Sequence, residues 1–144
     1  MFLGQYRLFL DDQHRLVLPE AFRQQLQVGA YVTCGFERNL LIMSEKEFES
    51  IYQKVAGLNL ADPLARLMQR LLLGNASRLE TGPDGRVRLP HELLALAGLE
   101  KEIVLVGQGE YCEAWAPVEW EKQASILRDA AANSARFAQL DLAF

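Results

Sequence analysis

Hydrophobic and polar positions alternate over residues 6–10, give way to the polar run 11–14, and resume in a short strand that ends at Pro19. The same grammar returns over residues 77–81, passes through the turn-forming Pro83-Asp84-Gly85, and ends at Pro90. Laying Arg15-Leu16-Val17-Leu18-Pro19 over Arg86-Val87-Arg88-Leu89-Pro90 sets an offset of 71 residues, Arg15 to Arg86. At that offset Leu8 falls on Leu79 and Phe22 on Leu93. After one inserted residue, Gly35 falls on Gly107, Met43 on Trp115 and Phe48 on Trp120. The chain therefore reads as one β-hairpin unit used twice.

Each hairpin is followed by a short helix that the proline opens, predicted at 19–26 and 90–97, the second closed by Gly98. Further strands are expected at 31–34, 40–43, 103–106 and 112–115. Ser44-Glu45-Lys46-Glu47 has capping-box spacing ahead of a helix with Phe48, Ile51, Tyr52 and Val55 on one face. Asp62-Pro63 opens another, with a stripe of Leu64, Leu67, Met68, Leu71 and Leu72, and both stripes are expected to be core. Residues 117–138 read as one helix with an alanine-rich end. The class is α+β, divided into a first repeat over 1–60, a connecting helix over 61–73, a second repeat over 74–125 and a C-terminal helix or tail over 126–144.

A 50% hydrophobic, 24% charged composition is that of an ordinary globular chain. The longest apolar runs fall far short of the roughly 20 residues a membrane helix needs. Met1-Phe2-Leu3-Gly4 leads directly into patterned sequence without the features of a secretory signal, so a cytoplasmic location is expected. Net charge is −4, which opposes nucleic-acid binding when taken as a sum, but the charge is unevenly spread. Residues 63–91 hold five arginines against two acids, while residues 92–116 hold one lysine against five glutamates.

No catalytic constellation stands out: His14 and His91 occupy non-equivalent repeat positions, and no hydrolase, metalloprotease, P-loop or dinucleotide fingerprint is present. Cys34 and Cys112 lack metal-ligand spacing and read as packing thiols. Gly107-Gln108-Gly109 reads as a turn. The chain is thus expected not to be an enzyme and to need no cofactor, metal or small-molecule substrate. What remains is an arginine directly after a tight loop in both copies. A two-stranded ribbon fits the DNA major groove, and a guanidinium fork matches a phosphate or a guanine edge. Arg15 and Arg86 are the principal candidates, with Arg7, Arg78 and Arg88 as phosphate contacts. The competing reading of each arginine is an ion pair that pins its own loop, as Asp11 would with Arg15.

Met1-Phe2-Leu3-Gly4, Asp11-Asp12-Gln13-His14-Arg15-Leu16-Val17-Leu18-Pro19 and Asp84-Gly85-Arg86-Val87-Arg88-Leu89-Pro90 resemble the MraZ family over essentially the whole chain. The resemblance implies an AbrB-like β-barrel of the double-psi or swapped-hairpin kind, built from both repeats with flanking helices, and a ring-shaped homo-oligomer. It further implies a nucleoid-associated regulator, typically a repressor, that binds repeated promoter boxes in double-stranded DNA upstream of the bacterial division and cell-wall gene cluster. The family signature, an acid followed four residues later by an arginine, fits Asp11 and Arg15. In the second copy Gly82 stands where the acid belongs, with Asp84 nearby, and His14 stands where the family usually has glycine. Asp11 is expected to orient Arg15, and His14 to tolerate a left-handed backbone or touch DNA itself. The alternative is an oligomeric protein-interaction module of antitoxin type.

Overall fold

Alternation and turn chemistry set the order of elements in the computed structural model, which describes residues 1–143; Phe144, the last residue of the expected tail, lies outside them. The first copy runs β1 (Gln5–Phe9), β2 (Arg15–Val17), α1 (Glu20–Gln25), β3 (Ala30–Cys34), β4 (Asn39–Ser44) and α2 (Glu45–Ala56). Helix α3 (Pro63–Leu72) leads to the second copy, with β5 (Ser77–Arg78), β6 (Glu80–Thr81), β7 (Arg86–Arg88), α4 (His91–Ala97), β8 (Glu102–Gly107), β9 (Tyr111–Trp115) and α5 (Pro117–Arg128). A last helix, α6 (Ala130–Phe137), ends in a 3-10 turn. The capping signals act as the sequence suggests. Ser44 Oγ accepts the Glu47 amide, the Asp62 carboxylate accepts the Leu64 amide, and Gly98 takes the left-handed cap of α4.

All strands pair antiparallel, in a six-stranded sheet ordered β1-β8-β9-β4-β3-β5 and a three-stranded sheet ordered β2-β7-β6. The larger sheet stays open, with β1 and β5 as its edges, where the resemblance implied a closed barrel. Each loop closes within its own copy, through Asp11 N–H to the Arg15 carbonyl and Gly82 N–H to the Arg86 carbonyl, both at 2.8 Å. Four ladders cross between copies: β1 lies on β8, β2 on β7, β4 on β9 and β5 on β3.

Two registers reveal the symmetry. Leu16 faces Val87, its own counterpart at the 71-residue offset, and Leu41 faces Glu113, its counterpart after the inserted residue. A pseudo-twofold axis therefore passes through both pairs and relates the copies. Near one end of it Leu16 and Val87 join Phe22, Leu93, Ile42 and Ile103 in the main core, which lies between the two sheets, α1 and α4. Helices α2 and α3 cover part of the other face of the large sheet through Leu41, Met43, Val55 and Leu72, and α5 covers another part through Trp120 against Trp115.

Three further expectations need correction. The strand expected over 77–81 breaks at Leu79, whose amide donates to the Ala30 carbonyl as the chain passes from the large sheet to the small one. The α3 stripe is only partly core: Leu72 is buried, but Leu64 and Leu67 are 71% and 62% exposed, because α3 spans one side of a two-helix layer and no described residue covers its outer leucines. The single helix expected over 117–138 breaks at Asp129, whose carboxylate accepts the Ala132 amide and starts α6. The buried Asn133 then donates to the Ile126 and Leu127 carbonyls, satisfying the end of α5.

Candidate nucleic-acid interface

The first hairpin tip is organised by one carboxylate. Asp11 Oδ1 accepts the amides of Gln13, at 2.9 Å, and Arg15, at 3.0 Å, so the side chain folds the turn around itself. A turn this tight drives His14 into the left-handed region at φ 61°, where its counterpart Gly85 sits at φ 78°. The loop position that wants glycine in one copy thus holds histidine in the other, a conformation a few side chains tolerate.

Asp11 also reaches across the pseudo-twofold. Its Oδ2 accepts Arg15 Nε at 3.0 Å and Arg86 Nη1 at 3.1 Å, so one oxygen holds an arginine from each copy. Arg86 Nε lies 3.3 Å from Asp84 Oδ2, and the Arg86 amide donates to Asp84 Oδ1 at 3.1 Å. Asp84 therefore takes up part of the role that Gly82 cannot fill. The Arg15 amide, followed by the Gln13 amide and the Arg15 guanidinium, lowers the Asp11 pKa to about 2 against the opposing effect of partial burial. Asp11 stays charged at neutral pH and holds two guanidiniums side by side.

The pinning reading of the sequence is thus real, but it does not consume the arginines. The side chains of Arg15 and Arg86 remain 32% and 39% exposed. A guanidinium carries five N–H donors, and Arg15 gives only Nε to Asp11. Arg15 and Arg86 share Asp11, and Arg86 also pairs with Asp84, so the tip is rich in donors rather than strongly positive.

The structure sorts the other candidates by sheet. Arg88 faces Arg15 across the β2–β7 ladder, with Nη2 at 3.5 Å from the Gln13 side-chain oxygen. Arg7 and Arg78 are counterparts on the two opposite edges of the large sheet, paired with Glu102 at 3.1 Å and Glu45 at 3.6 Å. Arg78 still shares a shallow pocket with Glu80 and Arg88, whereas Arg7 stands apart. Sequence reasoning missed His91, whose ring lies 6.5 Å from that of His14, centroid to centroid. Repeat equivalence separates these residues; the register that pairs Leu89 N–H with the His14 carbonyl, at 2.9 Å, brings them together.

Gly107-Gln108-Gly109 is the β8–β9 turn, and it clasps the chain start through Phe2 N–H to the Gly109 carbonyl at 2.7 Å. A Cβ at Gly107 would stand 2.4 Å from the Phe2 carbonyl oxygen, which explains the glycine as close packing. Cys34 and Cys112 are buried free thiols whose pKa values burial pushes up. Among the described residues no three His, Cys, Asp or Glu side chains are grouped to hold a metal, and no helix is long and apolar enough to cross a membrane.

A family model described as "MraZ protein, putative antitoxin-like" matches residues 1–71 and again residues 72–141. The chain is 37% identical over 127 residues to a protein of Thermomicrobium roseum, covering 88% of this chain and 89% of that one. It is 34% identical to a protein of Dictyoglomus thermophilum over 97% of this chain and 98% of the relative. With a protein of Nitrosomonas eutropha it shares 38% identity over 84% of each chain. All three relatives bear the name transcriptional regulator MraZ.

Proposed function

The chain belongs to the MraZ family, and we propose that it is a transcriptional regulator that binds double-stranded promoter DNA through the β2–β7 tip. The observation that carries this reading is the Asp11 carboxylate holding Arg15 and Arg86, one from each copy, with guanidinium donors still free on a half-exposed surface. Arg15 and Arg86 enter one groove, Arg88 and His14 stand beside them, and Arg78 and Arg7 contact phosphates further out. Asp11 orients both central arginines and repels phosphates that approach off register.

The wider reading follows the family. Repeats bounded near 60 and 74 form one AbrB-like swapped-hairpin domain, which the exchange of β1 and β5 between copies supports. The protein assembles into a ring, supported by the uncovered Leu64 and Leu67 of α3, and sits on repeated boxes upstream of the division and cell-wall gene cluster as a nucleoid-associated repressor in the cytoplasm. Avidity across a ring lets a subunit of net charge −4 bind DNA through a small arginine-bearing tip.

An electrophoretic shift on the protein's own upstream region against a scrambled duplex tests this. Specific binding is expected, and Arg15→Ala or Arg86→Ala is expected to cost about 1–3 kcal/mol and relax sequence preference if the fork reads a base. Equal binding by wild type and both variants would overturn the assignment. No shift at low salt from folded protein favours the second reading, an antitoxin-type protein-interaction module. The description of the family and the exposed α3 leucines support that alternative.

A further inference from the structure

We propose that His14 and His91 together form a two-imidazole site for a backbone phosphodiester of DNA, beside the arginine pair, so that DNA binding takes up protons. This rests on the DNA-binding reading above and extends it to a residue outside the family signature. Both side chains are exposed, and their rings stand 6.5 Å apart, tilted by 33°. Among the described residues the His14 ring has no hydrogen-bond partner, and His91 Nε2 has only Glu92 Oε1 at 3.4 Å, both of these side chains being more than 70% exposed.

The backbone builds the site. The Asp11 turn places His14 one residue before Arg15, the ladder sets Leu89 against it, and Pro90 turns the chain so that His91 begins α4 over the tip. A phosphodiester has two non-bridging oxygens, and one N–H from each ring can reach one oxygen at ordinary hydrogen-bond length. A phosphate anion held between the rings favours the protonated form of both.

The charged groups that face the pair are of both signs, Arg15 and Arg88 favouring an anion and Asp12 and Glu92 opposing it. Asp11 is already held by Arg15 and Arg86, Asp12 lies in the same turn, Glu92 lies beside His91, and Arg15 and Arg88 flank the tip on β2 and β7, with Glu80 opposite Arg88. The site is one-sided. At the 71-residue offset the counterparts of His14 and His91 are Gly85 and Glu20, and Glu20 is ion-paired with Arg23. The imidazole site therefore belongs to one face of the pseudo-twofold alone.

Anisotropy titrations of the upstream duplex from pH 6 to pH 8 at constant ionic strength test it, comparing wild type with His14→Asn/His91→Gln and with His91→Gln alone. Asparagine tolerates the left-handed backbone at position 14, and His91 is exposed, so circular dichroism is expected to show all three proteins folded. Wild-type affinity is expected to tighten on the order of tenfold from pH 8 to pH 6, and the double variant by less than about twofold. A wild type without pH dependence, or equal slopes in wild type and double variant, would overturn the two-imidazole site while leaving DNA binding in place. Absence of specific binding at every pH from folded protein would overturn the DNA reading and this site with it.

Discussion

The two hairpin tips solve the same geometric problem with different residues. In the first, a carboxylate builds the turn, accepts both turn amides and an arginine from each copy, and the backbone at His14 is strained. In the second, Gly85 takes the left-handed position without strain, and Asp84 provides a weaker, more exposed partner to Arg86 alone. The pseudo-twofold makes this division workable. Because Asp11 reaches Arg86, the second copy can lose its signature acid at Gly82 without releasing its arginine. A motif that looks decayed in one repeat is completed by the other.

The largest expected contrast lies where the tips share a core. Leu16 and Val87 are counterparts on the axis, each almost fully buried. Leu16→Ala is expected to cost about 2–5 kcal/mol in urea unfolding and Val87→Ala about 1–3 kcal/mol, since the smaller side chain leaves the smaller void. Equal losses would mean that the surrounding core collapses differently around the two copies.

Exchanging the loop residues sharpens the comparison further. Gly85→Ala is expected to destabilise by about 1–2 kcal/mol through its left-handed backbone, whereas His14→Gly stabilises by about 0.5–1 kcal/mol by relieving the same strain. If both substitutions lower the melting temperature alike, backbone strain is not what separates the tips.

The smallest effects concern the acids. The Asp11 pKa is depressed in the fold to about 2, so its contribution is present above the unfolded value near pH 4 and is lost as the pH falls toward 2. Asp11→Asn is expected to flatten that part of the acid-unfolding profile. Asp84→Asn removes an exposed ion pair and is expected to cost about 0.2–1 kcal/mol at neutral pH. A larger loss in Asp84→Asn than in Asp11→Asn would reverse the assignment of the dominant carboxylate.

Much of this was legible in the chain. Alternation, the two prolines and the capping residues of α2 and α3 placed nearly every strand and helix, and the 71-residue offset paired Arg15 with Arg86. Local patterns do not state which strand pairs with which. The break at Leu79 is a tertiary decision, invisible in an alternation that runs through it. The exposed half of the α3 stripe shows the same limit, because a 3.6-residue period reports that a face is apolar and not what covers it. Asp129 did carry a signal, an N-cap residue inside a helical run, which the alanine-rich sequence around it obscured. His91 was hidden for another reason: comparing the copies finds what they share, and its site exists in only one.

The crossing ladders also bear on how the chain is made. Gln5 finds its partner in Val106, and Tyr31 in Arg78, so neither copy can complete its sheet from its own residues. Contacts of such sequence separation close large loops and slow folding. A ribosome that has released only the first copy holds strands with unpaired edges, and the domain becomes a folding unit only when β9, which joins β8 to β4, emerges. A stop codon or proteolytic cut before that point yields two incomplete sheets rather than a smaller version of the protein.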